Sequence, residues 1–124
     1  MSVIEVTGAS FDQLIESDKT VVLDFWASWC GPCQSFAPVF EAAAEQHPDV
    51  VFGKIDIDTN QDLASYFSVR SVPTLMVLRE KVMLFSQPGA LTTGQLEQLL
   101  NEVKALDMAQ VHSDIAAKEA AEKE

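Results

Sequence analysis

An α/β fold, with a central mixed five-stranded sheet flanked by four helices, is what this sequence predicts, on three observations. Val21-Val22-Leu23-Asp24-Phe25-Trp26-Ala27 is a near-continuous apolar run, as a strand covered by helices on both faces requires; a strand with one wet face would alternate. Strand-like and helix-like segments alternate from the start of the chain, and the last two strands are separated only by Arg79-Glu80-Lys81, so parallel βαβ units give way to an antiparallel hairpin. At 124 residues and 48% apolar side chains, the chain reads as one domain with material for a real core.

Val3 to Val6 is a short first strand. Ser10 is the expected cap of a helix whose Phe11, Leu14 and Ile15 share one side. After the Val21–Ala27 strand, residues 34–46 carry Phe36, Val39, Phe40 and Ala43 at helical spacing, with Pro38 inside. Pro38 cannot donate to the carbonyl of Gln34, which predicts a kink. Val50 to Ile57 is the next apolar strand, followed by a short helix from Asn60 to Phe67 opened by Thr59 or Asn60. Pro73 to Leu78 and Val82 to Phe85 form the hairpin, and Gln87-Pro88-Gly89 is a turn. Thr92 and Gln95 make a capping box for a helix running through Leu96, Leu99, Leu100, Val103 and Leu106. Beyond Met108 the chain turns rich in Ala, Glu and Lys, so residues 1–108 are expected to be the domain and 109–124 a helical or disordered extension. With little to bury, that extension reads as a frayed, solvated tail, although Met108, Val111 and Ile115 would form a narrow apolar stripe if helix continued.

A formal charge of −11, from 19 acidic residues against 8 Lys and Arg, argues against nucleic acid and anionic membrane as partners. The first ten residues have neither a basic start nor a sustained apolar stretch, and nowhere is there a run of about 18 apolar residues. A cytoplasmic protein without a membrane span is the expectation.

Both cysteines fall in Trp29-Cys30-Gly31-Pro32-Cys33, between the central strand and a helix. Two intervening residues bring both sulfurs to one side of a first helical turn, where a disulfide opens and closes without unfolding the chain. As a staple it would be poor, because closing so short a loop stabilises least. Structural zinc wants about four Cys or His ligands, and neither His47 nor His112 lies at ligand spacing from the cysteines. No metal is therefore expected, and in a cytoplasmic chain paired thiols are more often redox-active than structural.

With Asp24-Phe25-Trp26-Ala27, Trp29-Cys30-Gly31-Pro32-Cys33, Pro38, Lys54-Ile55-Asp56, Val72-Pro73-Thr74 and Gly89 standing in that order, the chain resembles the thioredoxin family from Val3 to about Met108. The resemblance implies the thioredoxin fold and a dithiol reductant of oxidised protein substrates. It also implies recharging by a thioredoxin reductase, through which NADPH and FAD act indirectly, with no cofactor bound here beyond the cysteine pair. By that resemblance Cys30 attacks and Cys33 resolves. Physical reasoning runs the same way, since a helix N-terminus lowers the thiol pKa of Cys30. Cys33, one turn further in, should be less accessible and should break the mixed disulfide from within. Gly31 leaves backbone open to substrate, and Pro32 sits in the first turn, where its missing N–H costs little.

Asp24 is a carboxylate inside an apolar strand, and burial should raise its pKa, suiting it to accept the proton of Cys33. It also reads as a structural acid paired with Lys54, whose charge would tune the same pKa. Pro73 taken alone would be trans; the resemblance implies a cis bond beside the disulfide, with Val72 and nearby Ser71 pairing with an extended substrate segment. Trp29 is expected to be an exposed platform, and Gly89 and Ala90 another wall of the groove. Trp26, Phe11, Phe25, Phe40 and Phe52 read as core.

Two departures stand out. Gln34 follows the second cysteine where the family commonly carries Lys or Arg, and Pro88 precedes Gly89. An oxidant or isomerase on the same fold is a rival reading, disfavoured by Gly-Pro between the cysteines. A scaffold whose redox turnover is incidental is another. A monomer is expected, with weak self-association through an apolar rim around Trp29 the alternative.

Overall fold

A computed structural model describes residues 2–122. Five strands, β1 (Val3–Glu5), β2 (Thr20–Trp26), β3 (Val50–Asp56), β4 (Thr74–Arg79) and β5 (Val82–Pro88), form one sheet in the order β1-β3-β2-β4-β5. Strands β1, β3 and β2 run parallel, and β4 and β5 are antiparallel. The mixed sheet is thus as the sequence implies, with β2 at its centre.

Alternating side chains of the strands divide the core into two layers. On one face Val22, Phe52, Leu75 and Val77 pack against α2 (Gly31–Gln46) and α4 (Thr93–Ala105) through Phe36, Phe40, Leu96, Leu100 and Val103. On the other, Val21, Leu23, Phe25, Ile55 and Met76 meet α1 (Gly8–Ile15) and α3 (Gln61–Tyr66) through Phe11 and Leu63. Phe40 meets Phe52 edge-on at 5.2 Å between ring centroids, and Phe11 meets Phe67 at 5.4 Å. At the far end of α2, His47 binds Glu97 at 2.8 Å and Lys104 at 2.8 Å, tying that helix to α4.

Several boundaries differ from the sequence reading, each for a local reason. Helix α1 is capped by Thr7, whose side chain accepts from Ser10 N–H; Ser10 is the reciprocal partner inside the helix, three residues on. Helix α2 starts at Gly31 rather than Gln34, because Cys30 itself is the cap, and it runs through Pro38 as one helix. Asn60 caps α3 without a side-chain bond. The hairpin turn is the pair Glu80-Lys81, both left-handed with φ of 53° and 67°, the backbone of a tight two-residue turn without the Asn-Gly pair that usually supplies it. The α4 capping box at Thr92 and Gln95 forms as expected.

The count of four helices needs correction to five: α5 spans Met108–Glu122. Asp107 starts it, accepting from Gln110 N–H on its carboxylate and from Val111 N–H on its carbonyl. Met108 is buried, Val111 and Ile115 are half-buried, and His112 reaches Glu80 at 3.0 Å. Those contacts give the segment the partner that its composition does not advertise. Residues 123 and 124 lie outside the described residues.

Gly53 stands where the sheet leaves no room for a side chain. A Cβ there would stand 2.6 Å from Val6 Cγ2 and 3.3 Å from Leu23 Cδ2, and the short, branched Val6 side chain has no way to swing clear. Gly53→Ala is expected to destabilise the fold by about 1–3 kcal/mol, and adding Val6→Ala to recover part of that loss; urea unfolding of the single and double variants checks it. A fully additive double variant would place the strain elsewhere.

Candidate active site

The site lies beyond the carboxyl ends of β2 and β3, where crevices form in open α/β sheets. Strand β2 delivers Trp26, and the chain turns through Ala27, Ser28 and Trp29 to Cys30. Cys30 N–H donates to Ala27 O at 3.2 Å, and Gln34 N–H to Cys30 O at 3.2 Å. Cys30 thus stands in extended conformation (φ −92°, ψ 109°) as the cap of α2, and its Sγ accepts the Cys33 N–H at 3.1 Å. A sulfur held there sees the positive end of the helix and an N–H with no partner within the helix, so its thiolate is favoured when the pair is reduced.

The pair is in the oxidised form. Cys30 and Cys33 make a disulfide with 5.3 Å between Cα atoms, bedded with Ala27 in a small apolar cluster to which Trp26, Ile57 and Val72 contribute. Exposure does not separate the cysteines as the sequence reading anticipates, because Cys30 is 4% and Cys33 3% accessible. Position separates them: Cys30 caps the helix with exposed Gly31 and Pro32 beside it, whereas Cys33 lies inside the first turn.

Val72 stands against the disulfide and is joined to Pro73 by a cis peptide bond. The Val72 carbonyl oxygen is 3.6 Å from Cys30 Sγ; a disulfide sulfur has no proton, so this is a contact here and a hydrogen-bond position for the reduced thiol. Ser71 is exposed, and its carbonyl accepts from Thr74 Oγ1 at 2.6 Å. Gly89 N–H donates to Pro73 O at 2.8 Å, bringing the Gly89-Ala90 wall beside the cis-proline loop. Gly89 has φ of +104°, which L side chains rarely adopt, and Pro88 ends β5 opposite Thr74. Trp29 is 67% exposed, and its indole N–H donates to Asp58 Oδ2 at 3.0 Å.

Asp58 and the contact of Gln34 are the parts of the site that sequence reasoning missed. Gln34 Nε2 donates to Ser28 O at 3.0 Å. The only hint for Asp58 in the sequence is its place just after the carboxyl end of the second long strand.

Asp24 and Lys54 are register partners on β2 and β3, and strand alternation puts both on the side of the sheet that α2 covers. Asp24 is fully buried and neither carboxylate oxygen has a hydrogen-bond partner among the described residues. Lys54 makes no direct ion pair with it; its Nζ sits 4.9 Å from the centre of the Trp26 ring. Burial pushes the Asp24 carboxyl up to about 7, and the Lys54 charge pulls against that without prevailing. An acid of that kind can take or return a proton near neutral pH.

Among the described residues no group of His, Cys, Asp and Glu is arranged to hold a metal ion, and no helix is long and apolar enough to cross a membrane.

Comparison with known proteins agrees with this geometry. The family model described as thioredoxin matches residues 2–122, running past Met108 through α5. A Streptomyces coelicolor protein, provisionally designated thioredoxin 2, is 45% identical over 119 residues, covering 96% of this chain and 89% of its own length. Thioredoxin C-3 of Corynebacterium nephridii is 43% identical over 100 residues, 80% of this chain and 69% of its own. The thioredoxin of Alicyclobacillus acidocaldarius is 41% identical over 100 residues, 77% of this chain and 95% of its own.

The state of Asp24 makes stability depend on pH. Between its unfolded value of 3.8 and about 7, the folded chain holds a proton that the unfolded chain has lost, so stability falls as pH rises through that window. In the oxidised protein, Asp24→Asn should remove this slope and raise stability at pH 8 by up to roughly 4 kcal/mol. Urea unfolding at pH 5 and pH 8 reads it; an unchanged slope in the variant would assign the dependence to other groups.

Proposed function

The chain belongs to the thioredoxin family and is a protein-disulfide reductase of that type; from this premise we propose how its residues divide the work. In the reduced protein the Cys30 thiolate, favoured by the first turn of α2, attacks one sulfur of a substrate disulfide. The substrate S–S bond breaks, one substrate thiolate leaves and takes a proton, and Cys30 is held in a mixed disulfide. Cys33 then gives up its proton and attacks Cys30 Sγ, breaking the mixed disulfide and releasing the second substrate thiol. Two electrons have passed to the substrate, and the protein is left with the Cys30–Cys33 bond.

The observation that carries this reading is Cys30 at the cap of α2 with its Sγ on the Cys33 N–H. Reduction and oxidation need no refolding there, since both sulfurs stay on one turn. Asp24 is the acceptor for the proton of Cys33, with Lys54 tuning it; its unpartnered, fully buried carboxyl supports that role over a structural ion pair. Trp29, Val72 with Ser71, and Gly89 with Ala90 line the groove for an extended substrate segment, the Val72 backbone pairing with it. Gly31 and Pro32 leave the approach to Cys30 open, and Pro73 shapes the wall behind it.

The partners follow from the same chemistry. Oxidised protein substrates consume the dithiol, and a thioredoxin reductase using NADPH and FAD restores it. Residues 1–108 are the working domain, residues 109–124 an extension of it, and the protein acts as a cytoplasmic monomer without nucleic acid or membrane. Disulfide reduction is favoured over disulfide formation by Pro32 between the cysteines, which stiffens the pair.

Equilibration in graded dithiothreitol buffers, followed by the fluorescence of Trp26 and Trp29, gives the potential of the pair. It should fall near the about −270 mV of thioredoxins rather than the about −120 mV of a strong oxidant, and a value near the latter would make the protein an oxidase. Cys33→Ser should still attack a protein disulfide but accumulate the mixed disulfide, visible by mass, whereas Cys30→Ser should form none. Trapping through Cys33 in the Cys30→Ser variant would reverse the two roles.

A further inference from the structure

We infer that the thiol site selects among disulfides by charge, favouring cationic groups around the bond to be broken and disfavouring anionic ones, through Asp58 and the uncharged Gln34. The inference rests on the disulfide-reductase reading above and names the class of substrate it serves best.

The loop from Ser28 to Cys30 is tied on two flanks. On one, the Trp29 indole N–H holds Asp58 Oδ2 at 3.0 Å, and Asp58 N–H is itself held by Asp56 Oδ1 at 2.9 Å. An exposed carboxylate is thereby fixed beside the most exposed aromatic surface next to the nucleophile. On the other flank, Gln34 follows Cys33 directly and its amide lies against Ser28 O. That amide positions the loop as a lysine's ammonium could, but brings no charge.

The nearby cations do not balance Asp58. Lys54 is half-buried and rests on the Trp26 ring, with its charge acting on Asp24. Arg70, exposed before Ser71 and Val72, lines a neighbouring hollow with Gln61, Ser65 and Ser68. Neither they nor any other cation makes an ion pair with Asp58 among the described residues. The rest of the surface adds to the same sign, the chain carrying −11. A disulfide flanked by ammonium or guanidinium groups is drawn to this mouth, and one flanked by carboxylates is held off.

The size of the effect follows from Coulomb's law. Charges about 8 Å apart at a wet protein surface change an encounter by roughly threefold to tenfold, and salt at about 0.5 M removes most of it.

Single-turnover oxidation of the reduced protein, read by tryptophan fluorescence, tests this with three small disulfides: dicationic cystamine, neutral hydroxyethyl disulfide and anionic oxidised glutathione. Each charged substrate's rate constant is divided by that of the neutral one in the same variant, which cancels changes in thiol reactivity. Comparing variant with wild type then cancels the different leaving groups. Gln34→Lys, which keeps a donor for Ser28 O, and Asp58→Asn, which keeps an acceptor for Trp29, should each lower the cystamine-to-glutathione ratio by roughly threefold to tenfold at about 20 mM salt, and much less at about 500 mM. A ratio unmoved in both variants, or moved equally at both salt concentrations, overturns the inference. Failure of all three disulfides to oxidise the reduced protein would overturn the reductase reading instead.

Discussion

The covering of β2 on both faces is the constraint on which the site depends. Val22 faces α2 and α4, Val21, Leu23 and Phe25 face α1 and α3, and all four are at most 2% accessible. A strand so enclosed cannot shift its register by one residue without exchanging its two sets of side chains between layers that already fit. Its carboxyl end is therefore fixed in space, and the short loop from Ala27 to Trp29 inherits that position. Cys30 comes to the cap of α2 because both the strand before it and the helix after it are anchored in the core. The position of the thiol pair is thus tied to packing some distance away.

The same enclosure leaves the Asp24 carboxylate as the buried side-chain group without a hydrogen-bond partner among the described residues. Placed mid-strand in β2, it is fully buried, and the cross-strand Lys54 is turned toward the Trp26 ring rather than into contact. Two effects compete for its proton, burial favouring the neutral acid and the lysine favouring the anion, and burial prevails. Replacing Asp24 by an apolar residue would relieve a cost that the fold bears. In the proposed mechanism that cost has a use, since Cys33 is a nucleophile only once deprotonated and a buried acid can take its proton.

Much of this arrangement was legible in the chain, because most of it is carried by local signals. The continuous apolar run from Val21 to Ala27 gave the central strand, Thr92 with Gln95 gave the start of α4, and the three residues after Leu78 gave the hairpin. Spacing alone put Cys30 and Cys33 on one helical turn. What stayed hidden depended on partners far off in sequence. The residues that begin α1 look alike, and only the backbone decides that Thr7 caps while Ser10 answers it. Helix α5 has a weak apolar stripe, and it needed the burial of Met108 and the reach of His112 to Glu80 to declare itself. Pro73 illustrates the division well: local statistics favour a trans bond, the resemblance implied cis, and the structure has it cis. Asp58 and Gln34 carry no motif, and their meaning comes from Trp29 and Ser28, which lie 29 and six residues away.

That last pair bears on how an acidic protein of this kind chooses its partners. A charge of −11 does not govern encounter as a whole, because at physiological salt the field of each surface charge decays over about 8 Å. Those of the nineteen acidic side chains that lie beyond that length act only weakly on a disulfide already approaching Cys30. They bias the approach and keep the protein soluble. On the proposed reading, discrimination at the bond falls to the few groups nearest the sulfur, and Asp58 is held in place by Trp29, the residue that precedes Cys30. If Trp29 is the proposed platform, its bond to a carboxylate makes the inferred charge preference a property of the loop's geometry: any change that frees Trp29 from Asp58 would loosen the platform and the selectivity together.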